Sequence, residues 1–138
     1  MNWLALIVMV MVGYSGYSTL DIVVTDAVSD EGVIRVLLFD NEKGFPDQPE
    51  WARSAFSLPI KEGRARVSVE KLLPGSYAVA VFHDHDGDGK MRKGLFGIPR
   101  DRYGFSNNVM GTMGPPSFEK AAIVLGNKDK TVFIRLKD

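Results

Sequence analysis

Apolar and polar side chains alternate with a period of two along most of the chain. In "TLDIVVT" Leu20, Ile22 and Val24 share one face. "RARVSVE" sets Ala65, Val67 and Val69 against Arg64, Arg66, Ser68 and Glu70. "KTVFIRLKD" sets Val132, Ile134 and Leu136 against Thr131, Arg135 and Lys137. This alternation, rich in β-branched residues, predicts half-buried strands. "GVIRVLLFD", "SAFSLPI" and "EKAAIVLG" complete the set. In the last of these Gly126 and the β-branched pair favour a strand over the short helix that propensity alone would allow.

"GSYAVAVFHD" differs. Ala78, Ala80 and Phe82 lie on one face and Tyr77, Val79 and Val81 on the other, and both faces are apolar. A strand of this kind is central and covered on both sides, by an opposing sheet on one and by intervening segments on the other. Two such segments are long. Asn41–Glu50 holds two prolines and a glycine, and Asp84–Pro116 runs for 33 residues. The second contains Leu95, Phe96, Ile98, Tyr103, Phe105, Val109 and Met113. That is too apolar for a solvated linker, so the segment is expected to fold back on the central strand. About seven short strands with turn signals between them predict an all-β fold: an antiparallel Greek-key β-sandwich, Ig-like or prealbumin-like, with one long ordered loop.

The N-terminus breaks the pattern. Trp3–Val12 is a continuous apolar run of about ten residues, too short to span a bilayer, followed by small and polar residues. It suits the central region of a secretory signal, although no Lys or Arg precedes it. We therefore expect residues 1–18 to be an export signal and residues 19–138 a single domain, periplasmic or secreted, with no stable transmembrane span in the mature form. The alternatives for this run are a buried first strand or a tail.

Composition removes several chemistries. Lys+Arg and Asp+Glu both total 17, so no basic excess points to nucleic acid or to an anionic membrane. The absence of cysteine excludes disulfides, thiolate nucleophiles and cysteine-ligated zinc.

The chemistry that remains gathers in "FHDHDGDGKMRKG", residues 82–94. Asp84, Asp86 and Asp88 are spaced by two and followed by Gly89, as in the first half of a D-x-[DN]-x-[DN]-G calcium loop. Alternate side chains of a tightly curving loop converge on one centre, and the glycine permits the bend. Lys90, at the seventh place, would offer its backbone carbonyl. Calcium is thus the candidate cofactor. The twelfth place, however, is Leu95 where a bidentate Glu belongs, and no amphipathic helix leads in. An EF-hand is excluded, and Asp101, Glu119 or water would have to complete the ligand set. The alternative is a solvated acidic turn neutralised by Lys90, Arg92 and Lys93. His83 and His85 alternate with the acids, which raises a zinc or copper site and, with it, a metal-assisted hydrolase as the rival function; otherwise His83 caps the strand and His85 points to water.

"RDRYGFSNN" supplies a candidate binding surface at Tyr103, Phe105, Ser106, Asn107 and Asn108, with aromatic area and directional amides. The favoured alternative makes the aromatics anchors of the loop to the core and the asparagines turn closers. Neither G-x-S-x-G nor a phosphate-cradling glycine motif is present.

Five stretches together resemble a bacterial exported family known only as a domain of unknown function, DUF2141-like. They are Leu73–Ala78, His83–Lys90, Gly97–Pro99, Tyr103–Asn108 and Pro115–Ala121. The resemblance covers nearly the whole mature chain and implies a sandwich and export, with no known activity. The chain departs from it in carrying Met91, Arg92 and Lys93 where the family often has an acid, which weakens the pull on a cation. The strand beginning at "LPGSY" is also similar to those of prealbumin-like and surface-adhesin sandwiches. The resulting expectation is an exported, noncatalytic binding or structural module whose partner is a cell-envelope protein or glycan.

Overall fold

The computed structural model describes residues 16–92 and 100–138. Among them are eight strands: β1 (Ser18–Thr25), β2 (Val33–Phe39), β3 (Ser54–Pro59), β4 (Ala65–Leu72), β5 (Gly75–Asp84), β6 (Tyr103–Phe105), β7 (Ile123–Leu125) and β8 (Lys130–Arg135). One sheet has the order β4-β1-β8. The other has β3-β2-β5-β6, with β7 also pairing β5. The expected all-β class is thus met by two open sheets. The antiparallel rule is broken once, because β1 and β8 run parallel. The N-terminal run and residues 93–99, with Leu95 and the Gly97–Pro99 motif, lie outside the described residues. Among the described residues no helix is long and apolar enough to cross a membrane.

The period of two places the core. Leu20, Ile22 and Val24 of β1 meet Ile34, Val36 and Leu38 of β2, all fully buried between the sheets. Tyr77, Val79 and Val81 of β5 join them, as do Ile134 and Leu136 at the end of the chain. Ser18 belongs to this frame as well. It pairs with Leu72, and its hydroxyl donates to the Gly126 carbonyl at 2.9 Å. The first strand therefore starts one residue ahead of the boundary drawn after Ser18.

β5 is the two-sided central strand that its sequence predicts. Its second face, through Ala78 and Ala80, packs on Phe105 and Ala121. Phe45 closes this outer cluster, stacking edge-on against Phe39 at 5.3 Å and Phe118 at 5.9 Å between ring centroids. The segment after Asn41 thus folds over the sheet by burying one ring. Phe118 opens a four-residue helix, α1 (Phe118–Ala121), where a continuous strand was expected. Ser117 caps it by accepting the Lys120 N–H at 3.3 Å. The strand resumes only at Ile123, as β7.

Candidate metal centre

Asp84 is the last residue of β5, and the period of two points it to the outer face, away from His83. Across the ladder Arg35 stands opposite Phe82 and Val33 opposite Asp84. Arg35 is therefore the diagonal neighbour of Asp84, within reach of a long side chain. Its Nε donates to Asp84 Oδ2 at 2.9 Å. Its other two nitrogens bind the Ser57 hydroxyl on β3 and, at 3.2 Å, the Gly87 carbonyl. One guanidinium thus ties two strands to the bend.

Beyond Asp84 the chain turns sharply because Gly87 and Gly89 take left-handed backbone angles, φ 71° and 80°. The Gly89 N–H donates to Asp84 Oδ2 at 2.7 Å, and the Lys90 N–H to Asp88 Oδ1 at 2.8 Å. These bonds draw the acids inward. One oxygen from each of Asp84, Asp86 and Asp88 lies within 4.8 Å of the other two. Oxygens bound to one calcium at about 2.3–2.6 Å sit within about 5 Å of each other, so the spacing fits that ion.

The carboxyl groups are not equivalent. Asp84 is wholly buried, and with Oδ2 taken by Arg35 and Gly89 its Oδ1 is buried with no partner. An unsatisfied buried carboxylate oxygen is costly. Burial pushes the Asp84 carboxyl up, but the Arg35 and Gly89 hydrogen bonds, an interaction with Asp86 and the charge of Arg35 outweigh it and hold the group below its ordinary value. Asp86 goes the other way. Desolvation and the neighbouring Asp84 and Asp88 carboxyls push it up, against the Asp88 amide. Repulsion within the triad therefore falls on its exposed middle member.

Lys90 lies on the bend itself, tied to Asp88 through its amide. The further candidates lie around it. Asp101 is buried, with both oxygens held by Arg92: Oδ2 by the N–H and Oδ1 by Nε, each at 2.7 Å. With the Arg100 N–H donating to the Arg92 carbonyl at 2.7 Å, this clamp sets Arg92 and Arg100 side by side. Asp101 is thus a clamp and not a fourth ligand, and Glu119 is exposed on α1. His83 is buried on the opposite face from Asp84 and donates from Nε2 to the Glu31 carbonyl at 2.6 Å. His85 places Nε2 2.9 Å from the Glu31 carboxylate. Neither histidine is part of the carboxyl cluster. Gly32 allows this approach, since a Cβ there would lie 2.1 Å from the Asp84 carbonyl oxygen.

Tyr103–Asn108 forms a stitch in the scaffold. Phe105 and Ser106 are buried. Ser106 accepts the Val79 N–H at 2.9 Å and donates to the Ala121 carbonyl at 2.5 Å. Asn107 and Asn108, both left-handed, spend their amides on backbone: Asn107 on the Lys120 and Ala122 carbonyls, Asn108 on the Phe133 carbonyl and the Arg135 N–H. This is the anchoring role that the motif's turn-forming residues also allowed.

Arg35 is the participant that the sequence reading passed over. Its signal was present, as the one charge within "VIRVLLF". The sequence model of a family described as "Uncharacterized protein conserved in bacteria (DUF2141)" matches residues 22–133. No curated protein and no solved structure matches the chain.

Proposed function

The chain belongs to the DUF2141 family of uncharacterized bacterial proteins, and from the acidic bend we propose that it is an exported, noncatalytic module whose Asp84–Asp88 turn takes calcium. The observation that carries this reading is the buried, unpartnered Asp84 Oδ1 beside two further carboxylates. A cation there satisfies that oxygen and relieves the repulsion gathered on Asp86. Arg35 on Oδ2 leaves Oδ1 free, so ion pair and cation need not compete for one atom. Hydrolysis is disfavoured because the Nε2 atoms of both histidines are engaged with Glu31.

Without a bidentate Glu, affinity belongs to the weak range of extracellular modules. With a dissociation constant of about 0.1 mM, calcium at about 1 mM stabilises the fold by about 1.4 kcal/mol. Thermal melts in calcium, zinc and chelator test this. Calcium should raise the melting temperature, and Asp86→Asn should remove the rise. No rise at about 10 mM calcium, beyond the weakest range of such sites, or the same rise in the variant, would refute the site.

A further inference from the structure

The link from β3 to β4 tightens into a two-residue turn. Glu62 and Gly63 are both left-handed, φ 53° and 75°, as a type I′ turn requires, and Asp30 accepts both of their N–H groups. Lys61 and Arg64 flank the turn and exchange two backbone hydrogen bonds, of 2.8 and 3.0 Å. Directly opposed residues share a face, and the neighbouring Ile60 and Ala65 are buried, so both cations point outward. Like charges at opposed positions repel. Neither has a carboxylate partner among the described residues. In the next row Arg66 pairs with Val23 of β1, and Val23 with Phe133 of β8. One guanidinium and two apolar side chains thus stand side by side on the outer face of the three-stranded sheet, with Phe133 62% exposed. An open cavity of about 580 Å³ spans both rows, and no acid lines it. That volume falls within the range of small-ligand sites, about 300–1,000 Å³. Asp21 stands one row farther on, opposite Ser68 and Thr131. Arg66 reaches it only at 3.5 Å, and an exposed pair of that kind is weak.

We propose that this sheet face binds an acidic glycan, a chain of hexuronate units. A uronate carries its carboxylate at the edge of a ring whose faces present C–H groups. The ring face lies on Val23 and Phe133. The carboxylate then meets Arg66 in the same row or the Lys61–Arg64 pair in the next, where an anion relieves the repulsion between the two cations. A guanidinium can hold a carboxylate through two parallel hydrogen bonds. A bilayer or a nucleic-acid duplex is a poorer occupant, because a wide anionic surface also meets Asp21, and Asp26 beyond the end of β1. An acidic peptide such as a run of Glu matches the charges but brings no ring to the apolar pair. None of these residues belongs to the acidic bend, so the two sites stand or fall separately.

The probe is trigalacturonate, compared with its methyl ester, triglutamate and phosphatidylglycerol vesicles. Titrations are run in chelator, so that calcium neither fills the bend nor bridges uronates. The full chain should bind trigalacturonate best, with amide NMR shifts concentrated at Val23, Arg64, Arg66 and Phe133. Arg64→Gln combined with Arg66→Gln should weaken it roughly tenfold or more, the worth of a charge-assisted hydrogen bond. Phe133→Ala should weaken it severalfold. If the paired variant does not fold, Phe133→Ala, which trims a side chain mostly in solvent, and the shift map of the unaltered chain decide the matter. Equal binding of the ester or of triglutamate, tighter capture by the vesicles, undiminished binding by Phe133→Ala, shifts elsewhere on the protein, or no binding at about 10 mM would each overturn the proposal.

Discussion

A residue such as Asp84 draws its character from opposed terms. Its burial disfavours charge, yet Arg35 and the Gly89 amide keep it ionised. Asp84→Ala removes the acceptor for both donors and should cost about 2 kcal/mol, read as a lower urea midpoint. Arg35→Met should do comparable harm, since it strands the carboxylate. Asp86 predicts the opposite sign. Its carboxyl is pushed up by desolvation and its neighbours, so in chelator Asp86→Asn should melt slightly higher than the unaltered chain. The same substitution should abolish the calcium response, and a lower melting temperature in chelator would contradict the repulsion. The triad was legible because its members are spaced by two in one short stretch. Arg35 was not, because its position depends on the register of β2 against β5, 49 residues away in sequence.

At the scale of elements, the alternating strands were readable because one buried face dictates every second residue. β5 revealed its central place through two apolar faces. Elements of three or four residues escaped, since too few positions exist to show a period. β6 lay hidden in the long excursion, and Phe118–Ala121 formed a capped helical turn inside an expected strand. Their stability rests on individual bonds, which makes them testable. Ser106→Ala leaves the Val79 N–H and the Ala121 carbonyl buried without that partner, and should cost about 2 kcal/mol in urea unfolding. Gly104 sits where a Cβ would approach the Arg135 carbonyl oxygen to 2.8 Å. Tyr103 and Lys137 exchange two backbone hydrogen bonds of 2.9 Å beside it, joining the edges of the two sheets. Gly104→Ala should therefore speed hydrogen exchange at Tyr103 and Lys137 before it affects β1 and β2.

Outside the inter-sheet core, the described residues gather an aromatic cluster in one region and four of their six ion pairs in another. Phe39, Phe45, Phe105 and Phe118 cover the outer face of one sheet around α1. The pairs Arg35–Asp84, Arg92–Asp101, His85–Glu31 and Arg135–Asp26 gather where the acidic bend, the start of β2 and the end of β8 meet. The β3–β4 turn joins this region through Asp30, which accepts the Glu62 and Gly63 N–H groups at 2.9 and 2.8 Å. Those two amides, Gly63 first, hold the Asp30 carboxyl below its ordinary value, and Asp84 is held low as well. A carboxyl depressed on folding contributes stability above its unfolded value and loses it as pH falls through the folded one. Acid should therefore loosen the ionic region first. Hydrogen exchange, corrected for intrinsic rate, should show Glu62, Gly63 and Gly89 losing protection as pH drops below the usual carboxylate range. The Val79 amide, held by the Ser106 hydroxyl with no ionisable group in the bond, should stay protected until global unfolding. Simultaneous loss at all four amides would mean that the ionic contacts are cooperative with the core, and that the bend is not a separately adjustable part of the fold.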